Sequence, residues 1–171
     1  QDTPEKRSPW SGHFWKFKNA DGKTAEISVS SSMETVLFRG KQVRVHPATW
    51  MGSKAYVLVQ QGTGDTWILG KKAMGKPGQK MFVALLYVFQ WQGERGPMRP
   101  STWGYKSEEG CGKYTAIFCK SEGPETVSGV ECTKFRIGKE SWVISRENGV
   151  FRMSRRDGTW KLEARGKISD R

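Results

Sequence analysis

The sequence predicts a mainly β fold in which antiparallel sheets form a barrel or sandwich-like core, with at most one or two short helices. Gly or Asx-Gly pairs recur about every ten residues and separate short stretches rich in Val, Ile, Phe, Trp and Thr. The composition is 36% hydrophobic and 12% aromatic, which is typical of a chain with a packed interior. No long amphipathic helical pattern interrupts the short stretches.

Three Asx-Gly pairs give the clearest local predictions, because Asn or Asp followed by Gly favours the positive φ of a type I′ hairpin turn. They are Asp21-Gly22, Asn148-Gly149 and Asp157-Gly158. The strands that they join are expected over 14–18 and 24–29, over 141–145 and 150–153, and over 150–154 and 159–164.

Further strands are expected where β-branched and aromatic residues cluster, over 36–38, 42–45, 55–60, 66–69, 114–120 and 132–137. Both faces of the stretch 55–60 are apolar, which predicts a strand covered on both sides. The segment 81–91 is also apolar on both faces, so its period fits a buried strand or a short helix. Its aromatic and β-branched content favours the strand.

The chain is predicted to be one compact domain with two β units. Its 171 residues fit a single core. Residues 93–106, rich in Gly and Pro, are expected to connect the units. The predicted organisation is an N-terminal arm over 1–12, a first β unit over 13–92, the connection, and a second β unit over 107–171.

Positive charge is the main indication of function. The chain has 29 Lys and Arg against 17 Asp and Glu, a net charge of +12, together with eight Trp, eight Phe and four Tyr. Cations attract phosphates and flat rings stack on bases. The sequence therefore predicts binding of RNA or single-stranded nucleic acid, with RNA the favoured partner, by a monomer or by a homo- or hetero-oligomer.

Two basic segments are the predicted phosphate contacts. The first is the Gly- and Lys-rich stretch 70–80, whose cations are Lys71, Lys72, Lys76 and Lys80. Its Gly70, Gly75 and Lys76 have the spacing of the G-x-x-x-x-G-K motif of a nucleotide phosphate loop. The next residue, Pro77, stands where that loop needs Ser or Thr to hold Mg²⁺. The second consists of Arg152, Arg155 and Arg156, because arginine binds phosphate bidentately. The alternatives are a solvated lysine loop and an edge strand protected by charge.

Two tryptophans are the predicted base-stacking residues. Trp103 lies in the Gly- and Pro-rich connection, and Trp67 precedes the lysine-rich stretch. Most of the other tryptophans are expected in the core, since large rings supply much of the interior of a β protein.

Two other classes of function compete with nucleic-acid binding. One is a basic β interaction module, secreted or viral, that binds a protein or an acidic glycan through the same charge. The other is an enzyme. Gly110-Cys111-Gly112 resembles the Gly-x-Cys-Gly of viral chymotrypsin-like cysteine proteases, with the upstream glycine one residue too close, and His46 with Asp65 would complete a triad. An enzymatic activity is not indicated beyond these residues.

The number and spacing of the cysteines indicate which disulfides and metal sites the chain can form. There are three, Cys111, Cys119 and Cys132. Their spacing lacks any C-x-x-C pair, so neither a metal nor another cofactor is expected. A Cys119–Cys132 disulfide is the most plausible bridge, and buried free thiols are the alternative. This low, odd count favours an intracellular location over a secreted one. The longest apolar run, Met81–Phe89, is too short to span a membrane as a helix.

Overall fold

A computed structural model describes residues 8, 10–38, 41–60, 65–70, 85–90, 99–108, 111–117, 119–145 and 149–171. Between residues 85 and 119, and at Ile137, it describes the backbone alone. The described residues confirm the mainly β prediction, since they form fourteen strands and one three-residue 3₁₀ turn.

The strand bounds follow the chain. The first seven are β1 His13–Asn19, β2 Thr24–Val29, β3 Glu34–Phe38, β4 Lys41–Trp50, β5 Ser53–Val59, β6 Thr66–Gly70 and β7 Leu85–Gln90. The next seven are β8 Arg99–Glu108, β9 Cys111–Ile117, β10 Cys119–Val127, β11 Val130–Ile137, β12 Glu140–Ser145, β13 Gly149–Arg155 and β14 Gly158–Lys167. The 3₁₀ turn, Ile168–Asp170, follows β14 directly.

The strands form one open antiparallel sheet. Its hydrogen-bonded order is β10-β11-β12-β13-β14-β1-β2-β4-β5-β6-β7-β8-β9, and β3 lies off this path beside β4. The backbone of β8 comes within 8 Å (Cα to Cα) of β10 and β11. The sheet is therefore rolled, so that strands from its two ends approach each other.

Tryptophans fill the space inside the rolled sheet. Trp10 stacks on Trp50, with ring centroids 6.0 Å apart and planes at 16°, and meets Trp15 edge-on at 5.7 Å. Trp142 lies 6.1 Å from Trp50 on the other side. These buried rings, with Trp160 and the aliphatic residues packed on them, form the tryptophan core. We call the sheet face that carries it the inner face.

A second, smaller core lies on the opposite, outer face. The hairpin β3–β4 folds over β5 and β6, where Phe38 and Val45 pack on Tyr56 and Leu69. Strand β5 is consequently buried on both faces at Ala55, Tyr56 and Val57, as the sequence predicts.

The predicted hairpins are present, but the turns at Asp21-Gly22 and Asp157-Gly158 differ in type from the prediction. At Asp21-Gly22 only the glycine has positive φ (82°), and the Asn19 side-chain oxygen accepts hydrogen bonds from the amides of Asp21 and Lys23. Positive φ at both central residues, as a type I′ turn requires, occurs instead at Met51-Gly52 and Ser128-Gly129.

Several strand boundaries also differ from the prediction. The segment predicted as a connection, 93–106, overlaps β8, which pairs with β7 through residues 99–101 and with β9 through residues 102–108. The expected strand over 114–120 is split between β9 and β10. The strand interpretation of 81–91 is confirmed over Leu85–Gln90, and its other residues lie outside the described part. The division into two β units stays a prediction.

The suggested Cys119–Cys132 disulfide is wrong. In the β10–β11 pair, Cys119 lies opposite Ile137 while Cys132 lies opposite Glu125. Five residues along β11 correspond to about 17 Å, far beyond the reach of a disulfide. The Cys132 thiol is free and buried, as the alternative interpretation expected.

Four turns come together at one end of the sheet. The antiparallel registers bring to this end the loop 20–23, Met51-Gly52, Gly138-Lys139 and Arg156-Asp157. Gly70 at the end of β6 and Leu85 at the start of β7 lie at the same end. We call this end of the strands the turn end.

Candidate nucleic-acid interface

Basic side chains line up across the outer face of adjacent strands. Lys18 lies opposite Lys161, Lys161 opposite Arg152, Arg152 opposite Val143, and Val143 opposite Lys134. Directly paired residues of an antiparallel sheet point to the same face. We call Lys18, Lys161, Arg152 and Lys134 the basic row. At about 4.8 Å per strand, it extends about 19 Å from β1 to β11.

The register of β13 decides which of its residues face outward. Val150 and Met153 are both buried in the tryptophan core although they are three residues apart. A bulge in the β12–β13 pair explains this spacing, because Val143 pairs with Arg152 while Ile144 pairs with Val150. The simple alternation of the sequence, which predicts Phe151 in the core with Met153, is therefore wrong for Phe151, which is half-buried.

Carboxylates neutralise part of the basic row. Glu163 lies 3.9 Å from the Lys18 ammonium, and Glu125 lies 2.5 Å from the Arg152 guanidinium. Among the described residues, no carboxylate lies within 4.0 Å of Lys161 or Lys134. The Lys18–Glu163 pair is exposed and such pairs contribute little free energy, so a polyanion can compete with Glu163 for Lys18.

More cations flank the row on the same face. Lys16 lies two residues before Lys18, and Arg136 lies two residues after Lys134. Arg136 pairs with Lys120 across β10–β11 and donates a hydrogen bond to Glu122 at 3.1 Å. The outer face from β10 to β1 therefore carries a surplus of positive charge.

The three predicted arginines do not share one surface. Arg152 belongs to the basic row, with 26% of its side chain exposed. Arg155 lies two residues beyond the core residue Met153, with its Nε 3.9 Å from the Asp157 carboxylate. Its buried Nη1 has no hydrogen-bond partner within the part of the chain described. Arg156 is exposed in the turn that follows β13.

The four predicted lysines of the first basic segment, Lys71, Lys72, Lys76 and Lys80, lie outside the described residues. The strand ends from which that segment continues are described. Gly70 and Leu85 lie at the turn end, which also holds Arg156. Gly70 therefore lies at the same end of the sheet as Arg156.

The two predicted stacking residues have different outcomes. Trp67 is half-buried on the outer face, where it meets Phe38 edge-on with ring centroids 6.4 Å apart. Trp103 lies in β8 opposite Ala116 rather than in a loop, and its side chain is outside the described part. Of the six tryptophan side chains described, all except Trp67 are buried. Stacking on bases by described tryptophans thus rests on Trp67 alone.

The structure gives His46 a structural role. The side chain is fully buried, with Nδ1 2.9 Å from the Ser32 carbonyl and Nε2 3.2 Å from the Ser8 amide. These partners assign the neutral tautomer in which Nδ1–H donates and Nε2 accepts. His46 therefore has no free lone pair with which to act as the base of a Cys111 nucleophile, whose strand β9 lies five places along the sheet from β4.

Comparisons with known proteins do not assign the chain to a family. Comparison with protein-family models, with curated proteins and with solved structures finds no match in any of the three. Within the described ranges, no group of three or more His, Cys, Asp and Glu side chains is arranged to hold a metal ion. None of the described segments forms a helix of the length and apolar character needed to cross a membrane.

Sequence reasoning missed Lys18, Lys134 and Lys161 as parts of one site. Local alternation does indicate that Lys161 points away from Trp160, and Lys18 stands out as a basic residue before a hairpin turn. The cross-strand register that aligns them depends on which strands pair, and β1 and β14 are distant in sequence.

We expect the stability of the folded protein to depend on pH through the thiol of Cys132. Burial raises the pKa of the thiol above its usual 9.0, with a further rise from Glu125 and an opposing effect of Arg152. A neutral thiol is therefore favoured in the folded state. Its contribution to stability is complete below the unfolded-state pKa and is lost as the pH rises through the higher folded-state pKa.

We expect Cys132→Ala to lose less stability than the wild type when the pH is raised above about 9. The measurement is urea unfolding of both proteins across this pH range. The two proteins have the same lysines and tyrosines, so any difference in the pH dependence of their stability is assigned to Cys132. Parallel loss of stability in the two proteins would contradict the assignment of the effect to Cys132.

Proposed function

We propose that this protein binds RNA or single-stranded nucleic acid. The basic row, together with Arg156 at the turn end, would neutralise the phosphates. The observation that carries the proposal is the alignment of Lys18, Lys161, Arg152 and Lys134 across five adjacent strands, with Val143 between the last two cations, outside the tryptophan core. Lysines and arginines spaced along a surface release condensed counterions when they contact a phosphate backbone.

The described rings indicate a mode of binding dominated by the phosphate backbone. Of the six tryptophan side chains described, five are buried in the core and the half-buried Trp67 lies on the outer face. Phosphate contacts position a strand but do not read its sequence. The proposed binding is accordingly weakly sequence-selective and strongly dependent on salt.

The proposal is tested by removing two charges from the basic row. Lys18→Gln/Lys161→Gln should reduce the dependence of log affinity on log salt by about two units, one for each lost phosphate contact. Fluorescence anisotropy with a labelled single-stranded RNA, measured between low and physiological salt, gives this slope. Both side chains are exposed, so the double variant should keep its fold.

Lys41→Gln is the matched control, because Lys41 is an exposed cation in the β3–β4 hairpin, away from the basic row. It should leave the salt slope unchanged. Equal effects in the double variant and the control would contradict a defined interface. Heparin that binds as tightly as RNA, with the same loss in the double variant, would assign the face to an acidic glycan instead.

A substitution at Trp67 further distinguishes RNA binding from binding of an acidic glycan. Replacement of Trp67 by Phe removes the indole while keeping a ring against Phe38, so loss of RNA binding without loss of heparin binding would identify a stacking contact. Because the other described tryptophans are buried, a fluorescence change on RNA binding that persists in this variant would indicate a contact with Trp91 or Trp103.

A further inference from the structure

A separate groove of about 940 Å³ opens on the outer face, between the paired strands β2 and β4 and the 3₁₀ turn after β14. Its floor follows one cross-strand row. Lys54 lies opposite Thr49, and Thr49 lies opposite Ser28. The groove lies beyond β1 from the basic row and shares no residue with it.

Hydroxyl groups supply much of the hydrogen-bonding capacity of the groove, although the larger part of its lining surface is apolar. Ser28 and Thr49 form the floor, and Ser11, Ser30 and Ser169 contribute further hydroxyls. Ligand pockets are typically apolar with a few polar groups that fix the orientation of the ligand. The hydroxyls indicate a ligand that carries hydrogen-bonding groups of its own.

Cations lie at both ends of the groove. Lys54 lines it near the turn end and Lys167 lines it near the opposite end, whereas none of the described residues that line it is Asp or Glu. The Lys54 ammonium lies 5.7 Å from the centroid of the Tyr56 ring, a cation–π contact that positions it above the sheet. The nearby Glu26 is held in an ion pair with Arg171. The local charge therefore favours an anion.

The wall of the groove is fixed by several contacts. The Ile168 amide donates to the Gly12 carbonyl at 2.8 Å and ties the 3₁₀ turn to the sheet. The Arg171 guanidinium lies 4.8 Å from the Phe14 ring centroid. A Cβ at Gly166 would come within 3.3 Å of Phe14, so this glycine lets the ring pack closely on β14. The groove is thus largely preformed.

We infer that this groove binds a sugar that carries a phosphate monoester. The ammonium group of Lys54 pairs with the phosphate, and the hydroxyls of Thr49 and Ser28 donate to phosphate oxygens or exchange hydrogen bonds with sugar hydroxyls. The volume lies within the range of small-ligand sites. Two sources share this chemistry: a free sugar phosphate, and the 5′-phosphorylated end of a nucleic-acid strand.

Isothermal titration of the full chain with ribose 5-phosphate, inorganic phosphate and ribose tests the inference. Ribose 5-phosphate should bind most tightly and neutral ribose should give no measurable heat. Lys54→Gln should weaken ribose 5-phosphate about tenfold, the loss of one charge-assisted contact, and Thr49→Val about fivefold. Lys139→Gln, an exposed charge change outside the groove, is the control and should bind as the wild type does.

Amide chemical shifts keep the test decisive if a variant is unstable. Titration of wild-type protein with ribose 5-phosphate should shift the amides of Ser28, Thr49 and Lys54. Absence of binding, shifts confined to residues outside the groove, or equal weakening by Lys139→Gln and Lys54→Gln would overturn the inference.

Oligonucleotides with and without a 5′-phosphate distinguish the two sources. A gain in affinity from the 5′-phosphate that disappears in Lys54→Gln would identify the strand end as the ligand. No such gain, with ribose 5-phosphate still bound, would identify a free sugar phosphate. The double variant Lys18→Gln/Lys161→Gln should retain ribose 5-phosphate binding, so failure of the proposed nucleic-acid function and failure of the groove are separable.

Discussion

Trp142→Ala should lower the free energy of unfolding by about 3–5 kcal/mol, the usual cost of removing a large ring from a core. Trp142 is fully buried and lies 6.1 Å from Trp50 in the line of rings inside the sheet. Its indole Nε1 also donates to the Glu140 carboxylate at 3.3 Å. Urea unfolding followed by circular dichroism measures the loss.

Two comparison variants separate the cavity from the loss of the indole. Trp142→Phe keeps a ring in the core and should cost clearly less than the alanine variant. Trp67→Ala removes a half-buried tryptophan and should also cost less. A loss for Trp67→Ala equal to that for Trp142→Ala would contradict a core centred on Trp142 and Trp50.

His46→Leu should be the second most damaging change. The imidazole satisfies two backbone groups that are far apart in sequence, the Ser8 amide and the Ser32 carbonyl. Leucine fills similar space but leaves both groups without this partner, at a cost of about 1–3 kcal/mol each. The same urea titration reports the loss, and amide hydrogen exchange at Ser8 and Trp10 should accelerate.

His13→Leu is the matched control. His13 is half-buried and its Nδ1 lies 3.0 Å from the carbonyl of Ser11, two residues away in the chain. Its loss should reduce stability much less than that of His46 and leave exchange at Ser8 unchanged. Similar losses in the two variants would show that the hydrogen bonds of His46 do not join the segment around Ser8 to the sheet.

The fold class could be predicted because its signals are local. Asp21-Gly22 marks a real hairpin, although Asn19 shapes that turn rather than a type I′ geometry. The apolar pattern around Tyr56 and Val57 correctly indicates a strand buried on both faces. What covers each face, the tryptophan core and the β3–β4 hairpin, is decided by residues remote in sequence.

The candidate site was predicted only in part, for a related reason. Arg152 could be singled out from the local charge, but its partners in the basic row belong to other strands. The bulge opposite Val143 also reverses the simple alternation at Phe151, and nothing in the local sequence marks it. Strand pairing is tertiary information, which period and composition do not contain.

The pairing of β1 with β14 has a kinetic consequence. These strands lie side by side in the interior of the sheet order, although well over a hundred residues separate them in the chain. Closing this junction costs chain entropy that the hairpins between consecutive strands do not, so we expect it to form later than they do. Until β1 and β14 pair, the backbone donors and acceptors along one side of each strand have no partner, so we expect the incompletely folded chain to be prone to self-association.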